Sequence, residues 1–287
     1  MALNGLKDIK KIYSALNADE IRGAAHHDLS VGLIAGGEQD YQIMERFLAP
    51  PAMDDAWRAE CLRRIHRVNG GAPEHFDLVL CAPGIPAPSN GYAFDPANPD
   101  ATAKAIAGDR HDLELAIARN FPRLRQPVAD CIVQRISREN ALFALVTALP
   151  NVIPSFIDLP WAVGEFATDL AFLTLNQIRM AMLLAAAYDC PVGLMEQKLE
   201  IGVIVAGAFG WRAIARELVG KIPLGGGLIP KAAVAYAGTY VVGLGLEKAN
   251  RTGTGLSKLE KRFVYTGAFE RGKEVVRELV PYAAKRS

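Results

Sequence analysis

The sequence lacks most of the short motifs that mark catalytic and metal-binding sites. It has no H-E-x-x-H, C-x-x-C or G-x-S-x-G pattern, which argues against a zinc site and against a hydrolase nucleophile elbow. The cysteines are few and far apart, so we expect buried thiols in a reducing compartment rather than a disulfide framework: Cys61, Cys81, Cys131 and Cys190. No catalytic residue, metal ligand or cofactor is predicted, and the chain is not expected to be an enzyme.

The chain also lacks a strong charge of either sign. Its formal net charge is +1 over 287 residues, which does not favour nucleic acid as a partner. The N-terminal stretch has no apolar core of a signal peptide and reads as an amphipathic helix. Hydrophobic residues, by contrast, make up 51% of the chain, a share above that of most soluble domains.

The first half, residues 1–125, mixes polar helices, short apolar runs and loops. Two runs, Ser30–Ala35 and Phe76–Cys81, have the pattern of buried strands. Helices are predicted from Tyr41 to Leu48 and, with Asp54 as N-cap, to about Val68. The Pro-, Asn- and Gly-rich stretch from Ile85 to Asp100 predicts a loop. The order strand, helix, helix, strand predicts a small parallel α/β domain.

The second half, residues 126–287, is rich in Ala, Leu, Val and Gly and predicts an all-helical domain. A membrane-spanning helix needs about 20 apolar residues to cross about 30 Å of hydrocarbon. The longest uncharged run, Ala232–Leu246, would make a helix of only about 22 Å. Its small residues Ala235, Thr239 and Gly243 would let helices approach closely in lipid or in a soluble bundle. We expect membrane contact, by a re-entrant hairpin or by partial insertion.

The C-terminal segment from Glu247 to Ser287 is basic, with ten Lys or Arg against five Glu. Such a segment can lie on anionic lipid. The sequence therefore predicts a protein on the cytoplasmic side of a membrane, with lipid as one partner and a second protein or a second copy as another.

Three runs in the second half carry a family resemblance: NFPRLRQPVADCIVQRISRENALFALVTALPNVIP, LNQIRMAMLLAAAYDCP and ELVGKIPLGGGLIPKAAVAYAGTYVVGLGLEKANRTG. They resemble the bacterial family called domain of unknown function 697, over roughly Phe121 to Gly253. The resemblance implies a membrane-associated helical domain that often follows an Era-like GTPase domain. It implies no activity, because none is established for that domain.

The resemblance directs attention to a phosphate loop after the first strand. A Walker A loop needs G-x-x-x-x-G-K-[ST], but Tyr41, Gln42 and Ile43 stand where Gly, Lys and Ser or Thr belong. The second strand ends at Cys81, where the D-x-P-G motif of GTPases has its Mg²⁺-site Asp. No N-K-x-D motif follows. We therefore expect a degenerate, P-loop-GTPase-like domain, and if nucleotide binds, the contact residues would be Gly36, Gly37 and Gly84.

Polar residues on the apolar helix after Phe166 form the second candidate site. Asn176, Gln177 and Arg179 should face the interior and pair there, because buried polar groups need partners. The acidic partner expected for these polar residues is Asp158, Glu165 or Asp169. The residues would line a headgroup or ion site, or form a buried network that fixes helix register.

Three functions remain open from the sequence. The first is a non-catalytic, membrane-associated interaction or scaffolding protein built on a pseudo-GTPase domain. The second is a GTP-binding protein with an atypical phosphate loop. The third is a soluble helical module that binds a lipid or another apolar ligand in a pocket near Arg179.

Overall fold

A computed structural model describes residues 16–68, 73–147, 169–204 and 228–284. Contacts between Cα atoms divide the chain into two compact units. An α/β unit holds residues 20–131 and 186–189, and a helical unit holds the described residues outside those ranges.

The α/β unit alternates helices with four strands. Its helices are α1 (Ala18–Ala25) except its first two residues, α2 (Glu38–Leu48), α3 (Asp55–Arg63), α4 (Pro99–Asp109), α5 (Glu114–Asn120) and the first part of α6 (Pro122–Val146). Its strands are β1 (Val31–Ile34), β2 (Ile65–Arg67), β3 (Leu78–Cys81) and β4 (Gly91–Ala93), with a 3₁₀ turn at Pro73–His75.

The four strands form one parallel sheet in the order β2-β1-β3-β4. The central strands are apolar along their length, and β3 is fully buried, as expected of a strand covered on both faces. At the amino edge, the Asp77 carboxylate accepts hydrogen bonds from the backbone and hydroxyl of Ser30 at 2.8 and 3.0 Å. The predicted parallel α/β architecture and its two buried strands are confirmed.

Two predicted stretches contain structure that the sequence pattern did not reveal. The helix capped by Asp54, whose carboxylate accepts from Ala56 and Trp57 at 3.1 Å, ends at Arg63 and not near Val68. After Arg64, residues Ile65–Arg67 form edge strand β2, and the Val68 N–H donates to the Leu33 carbonyl at 2.8 Å. A strand of three half-exposed residues is too short to show a period of two.

The prediction of a loop between Ile85 and Asp100 was also wrong in part. It contains β4 and the start of α4, where the Asn98 side chain accepts from the Ala101 N–H at 3.3 Å and Pro99 takes the first helical position. The helix after β1 begins at Glu38, three residues before the expected Tyr41. Acidic residues in a first turn are stabilised by the helix dipole, so a polar start did not mean a loop.

The helical unit contains the rest of α6 and three further long elements. These are α7 (Asp169–Ala187), whose last residues belong to the α/β unit, α8 (Leu228–Thr252) and α9 (Lys258–Ala284). Residues 198–204 are also helical. Tyr236 of α8 packs with Val275 and Val276 of α9. These two helices approach so closely that a Cβ added to Gly272 would lie 3.1 Å from the Ala233 carbonyl oxygen.

One helix in the described part of the chain, Ile229–Thr252, is long and apolar enough to cross a membrane. Of its most apolar 18 residues, 56% are buried inside the protein. A core helix of a soluble protein has the same properties, so length and composition do not decide between the two.

The close approach at Gly243 yields a test of the helical core. A Cβ added there would lie 2.7 and 2.8 Å from the two γ-methyl groups of Val133 on α6 and 3.0 Å from the Met180 sulfur on α7. Overpacking costs about 1–3 kcal/mol, whereas a helical Gly→Ala change gains about 1 kcal/mol from propensity. Gly243→Ala should therefore be less stable in urea unfolding than Gly267→Ala by about 1–3 kcal/mol.

Gly267, in the middle of α9, is the matched control because an added Cβ meets nothing within 4 Å. Equal stabilities of the two variants would contradict the close helix packing at Gly243.

Candidate functional site

The carboxyl edge of the sheet is the first candidate site. Ligands of open parallel sheets bind where the strand order reverses, and here that point lies between β1 and β3. Ile34 and Cys81, the last residues of these strands, pair with each other. The glycines expected at a nucleotide site, Gly36, Gly37 and Gly84, therefore follow neighbouring strands at one edge.

The connection from β1 to α2 is short. It consists of Ala35, Gly36 and Gly37, whereas a Walker A motif extends over about eight residues whose N–H groups surround the phosphates. Gly37 has extended backbone angles (φ −159°, ψ 164°). A Cβ on either glycine would meet nothing within 4 Å, so packing does not require these glycines. Three residues are too few to form such a loop.

The N-terminus of α2 already carries negative charge. Glu38 lies in the first turn and accepts from Arg67 at 2.6 and 3.0 Å. Arg67 also donates to Glu45 at 3.0 Å and lies 4.9 Å from the ring centroid of Tyr41. The hydrogen bond from Arg67 lowers the pKa of Glu38, and the two carboxylates raise the pKa of Arg67. A helix N-terminus attracts phosphate, but the first turn of α2 carries the Glu38 carboxylate, and the neighbouring cation Arg67 is already bound to it.

The segment after β3 forms a turn and provides no oxygen ligand from a carboxylate. The Ile85 N–H donates to the Ala82 carbonyl at 3.1 Å, and Gly84 has φ +84°. With Pro83 before it, this is a type II turn that requires glycine at its third position. Cys81 is fully buried, and burial raises the pKa of its thiol. A neutral thiol is a poor ligand for Mg²⁺, which prefers oxygen.

The α/β unit also has an open cavity of about 320 Å³. Its floor contains Phe47 and Phe94, whose ring centroids are 5.1 Å apart. The exposed side chains of Arg46 and Arg123 border it.

Within the described chain, His, Cys, Asp and Glu residues form no group of three that could hold a metal ion.

The second candidate site is a buried amide cluster in the helical unit. Asn140 of α6 donates to the Thr239 hydroxyl of α8 at 2.8 Å, and Gln177 of α7 donates to the same oxygen at 3.3 Å. Asn176 donates to the Asn140 side-chain oxygen at 2.9 Å. The four side chains Asn140, Asn176, Gln177 and Thr239, which we call the amide cluster, are between 0% and 8% exposed. The cluster joins α6, α7 and α8.

One oxygen of the amide cluster has no hydrogen-bond partner among the residues that the structure describes. This atom is the buried Oδ1 of Asn176. A buried acceptor without a donor costs about 1–3 kcal/mol.

Arg179 pairs with a residue that the sequence did not single out. Its guanidinium donates to Glu139 at 3.4 Å, with the two side chains 23% and 18% exposed. Of the partners expected, Asp158 and Glu165 lie outside the described residues. Asp169 is the first residue of α7, and its side chain is also outside the described part. In the described part of the chain, the acidic residue that pairs with Arg179 is thus Glu139 on α6.

Sequence reasoning identified Asn176 and Gln177 but missed Asn140 and Glu139. Both lie in the run Ser137-Arg138-Glu139-Asn140, between apolar stretches of α6. Asn140 lies seven residues after Val133 and four before Ala144, both buried, and this helical spacing could have placed it on the inner face.

Comparisons with protein-family models, with curated proteins and with solved structures found no match. The resemblance of the helical half to domain of unknown function 697 therefore stays a prediction based on its motifs.

The amide cluster predicts a specific stability difference at Thr239. Thr239→Val should lower the free energy of unfolding by about 2 kcal/mol, because two buried amide donors lose their acceptor. Thr239→Ser keeps the hydroxyl and loses one methyl group, which should cost about 0.8 kcal/mol. Urea unfolding of both variants measures the difference. A Val variant as stable as the Ser variant would show that the hydroxyl is not needed.

Proposed function

We propose that this chain is a non-catalytic, membrane-associated interaction protein, in which a degenerate GTPase-like α/β domain is joined to a helical domain similar to the 697 family. One observation carries the membrane half of the proposal. Met195, Leu199 and Val203 are 74%, 74% and 67% exposed, although each has a large apolar side chain.

Leu199 and Val203 lie four residues apart on one face of the helix at 198–204, and Met195 lies in the turn just before it. We call these three side chains the apolar row. Contiguous exposed apolar surface on a soluble protein marks a contact with a partner or a membrane. The same helical unit contains α8, whose most apolar window is only about half buried. Contact with lipid accounts for both the exposed apolar side chains at Met195, Leu199 and Val203 and the half-buried helix α8. These three side chains would then lie in the apolar region of a bilayer.

The proposal that the protein is non-catalytic rests on the residues at the carboxyl edge of the sheet. The three-residue connection, the Glu38–Arg67 pair and the buried Cys81 thiol each remove one requirement for holding a Mg²⁺–nucleotide. What remains is a small α/β domain whose surface is available for protein contact. We propose that it links the membrane to a protein partner or to a second copy.

Cell fractionation tests the membrane association. The expressed chain should stay with the membrane fraction through washes with high salt and with carbonate, because inserted apolar side chains are not removed by charge screening. A Leu199→Glu, Val203→Glu double variant should shift protein to the wash, since a charge in hydrocarbon costs about 2.5–3.5 kcal/mol at the centre and less near the interface.

Lys198→Glu is the control, because it adds negative charge to an exposed position of the same helix outside the apolar row. Recovery of the wild-type chain in the cytosol would refute the proposal and favour the soluble ligand-binding module.

Titration with a fluorescent guanine nucleotide tests the pseudo-GTPase assignment. We expect no saturable binding, with or without Mg²⁺. Saturable, Mg²⁺-dependent binding would instead support an atypical phosphate loop. In that case Gly37→Ala, which meets no atom within 4 Å in the fold, should weaken binding by blocking the approach of the ligand to the backbone.

A further inference from the structure

The start of α9 carries a second apolar surface that is separate in sequence from the row at Met195. Leu259 and Phe263 are 80% and 83% exposed. At 100° per residue, they lie on the side of α9 opposite Tyr265 and Ala268. Those two residues are buried with Ala237 and Val241 of α8. The exposed pair therefore points away from the helical core.

The first turn of α9 is held in place by hydrogen bonds between neighbouring residues. The Glu260 N–H donates to the Ser257 hydroxyl at 3.3 Å, and the Ser257 N–H donates to Glu260 at 2.7 Å. The pair forms a capping box. Lys248 of α8 donates to Glu260 at 2.8 Å, and this bond, with those from Ser257, lowers the pKa of Glu260 to about 2. The exposure of Leu259 and Phe263 thus belongs to an ordered helix start.

The charge around the pair is positive. Lys258 and Arg262 each precede one of the two apolar residues, whereas Lys261 lies between them in sequence but on the opposite side of the helix at 100° per residue. All three are exposed, and none forms an ion pair with a residue that the structure describes. Between Glu247 and Phe263 there are five Lys or Arg against two Glu, and both Glu are engaged, by Arg251 and by Lys248.

We infer that the first two turns of α9 form a peripheral anchor for anionic lipid, in which Leu259 and Phe263 enter the acyl boundary and Lys258 and Arg262 contact phosphate headgroups. Exposed apolar side chains between cations are the pattern of an interfacial helix. The positive charge selects an anionic bilayer over a neutral one. This inference rests on the proposed membrane association and adds the lipid class and the residues.

Vesicle flotation of the full chain tests the anchor. The vesicles are phosphatidylcholine alone, or phosphatidylcholine with roughly one-third phosphatidylglycerol to supply the anionic headgroups. The wild-type chain should bind the anionic vesicles more tightly. Arg262→Gln should weaken that binding about fivefold, because one cation at an anionic surface is worth about 1 kcal/mol, and should leave binding to neutral vesicles unchanged. Phe263→Ser should weaken binding to both by about tenfold.

Two substitutions on the same helix are matched controls. Arg277→Gln removes another exposed arginine of α9, and Val280→Ser removes a valine that is 40% exposed. Both should bind vesicles like the wild type. All four positions are exposed, so circular dichroism should show an unchanged helix content in each variant.

The outcomes separate the anchor from the membrane association. If the wild type floats and the Arg262 and Phe263 variants float equally well on anionic vesicles, the anchor is refuted and the membrane association stands. If these variants change only the oligomeric state in sedimentation, the surface is a contact between copies and the anchor is again refuted. If the wild type floats on no vesicle and is cytosolic, the membrane association itself fails.

Discussion

The helical unit depends on the need of buried amides for partners. Asn140, Gln177 and Thr239 come from three different helices and meet at one hydroxyl oxygen. Apolar packing alone tolerates rotation or sliding of a helix, because one aliphatic contact can replace another at small cost. Hydrogen bonds between buried amides do not tolerate it, because a shift leaves donors unpaired in a medium of low dielectric constant. The amide cluster therefore fixes the register of α6, α7 and α8.

That register has consequences one helical turn along α8. Gly243 lies four residues after Thr239, on the same face, and there α8 meets Val133 and Met180 without room for a side chain. Helices can pack this closely both in soluble proteins and in lipid. On the outer surface, by contrast, Met195, Leu199, Leu259 and Phe263 are apolar and largely exposed, and exposed apolar surface marks a contact with a partner or a membrane.

The sequence predicted the features that follow from long-range patterns and missed those that depend on short contacts. The apolar runs that became β1 and β3, and the Asp54 cap, could be read directly, because burial on both faces and capping each leave a residue signature. β2 and β4 have three residues each, and only pairing with a neighbour makes them strands. In the amide cluster, Asn176 and Gln177 were visible as polar residues on an apolar helix. Glu139 was not predicted, because a charged residue on a helix is expected to face solvent unless a buried partner such as Arg179 is known.

The carboxyl edge of the sheet has the fold position at which parallel α/β proteins bind ligands, but its residues differ from those of a Walker A loop. A parallel sheet with reversing strand order places two connections and a helix N-terminus together whatever the sequence, so the edge attracts anions by default. Glu38 supplies an anion from the chain itself, and Arg67 holds it there. The pair is exposed and contributes little to stability. Its effect is electrostatic, because a phosphate approaching the first turn of α2 would be repelled by the Glu38 carboxylate, while the neighbouring Arg67 is already paired.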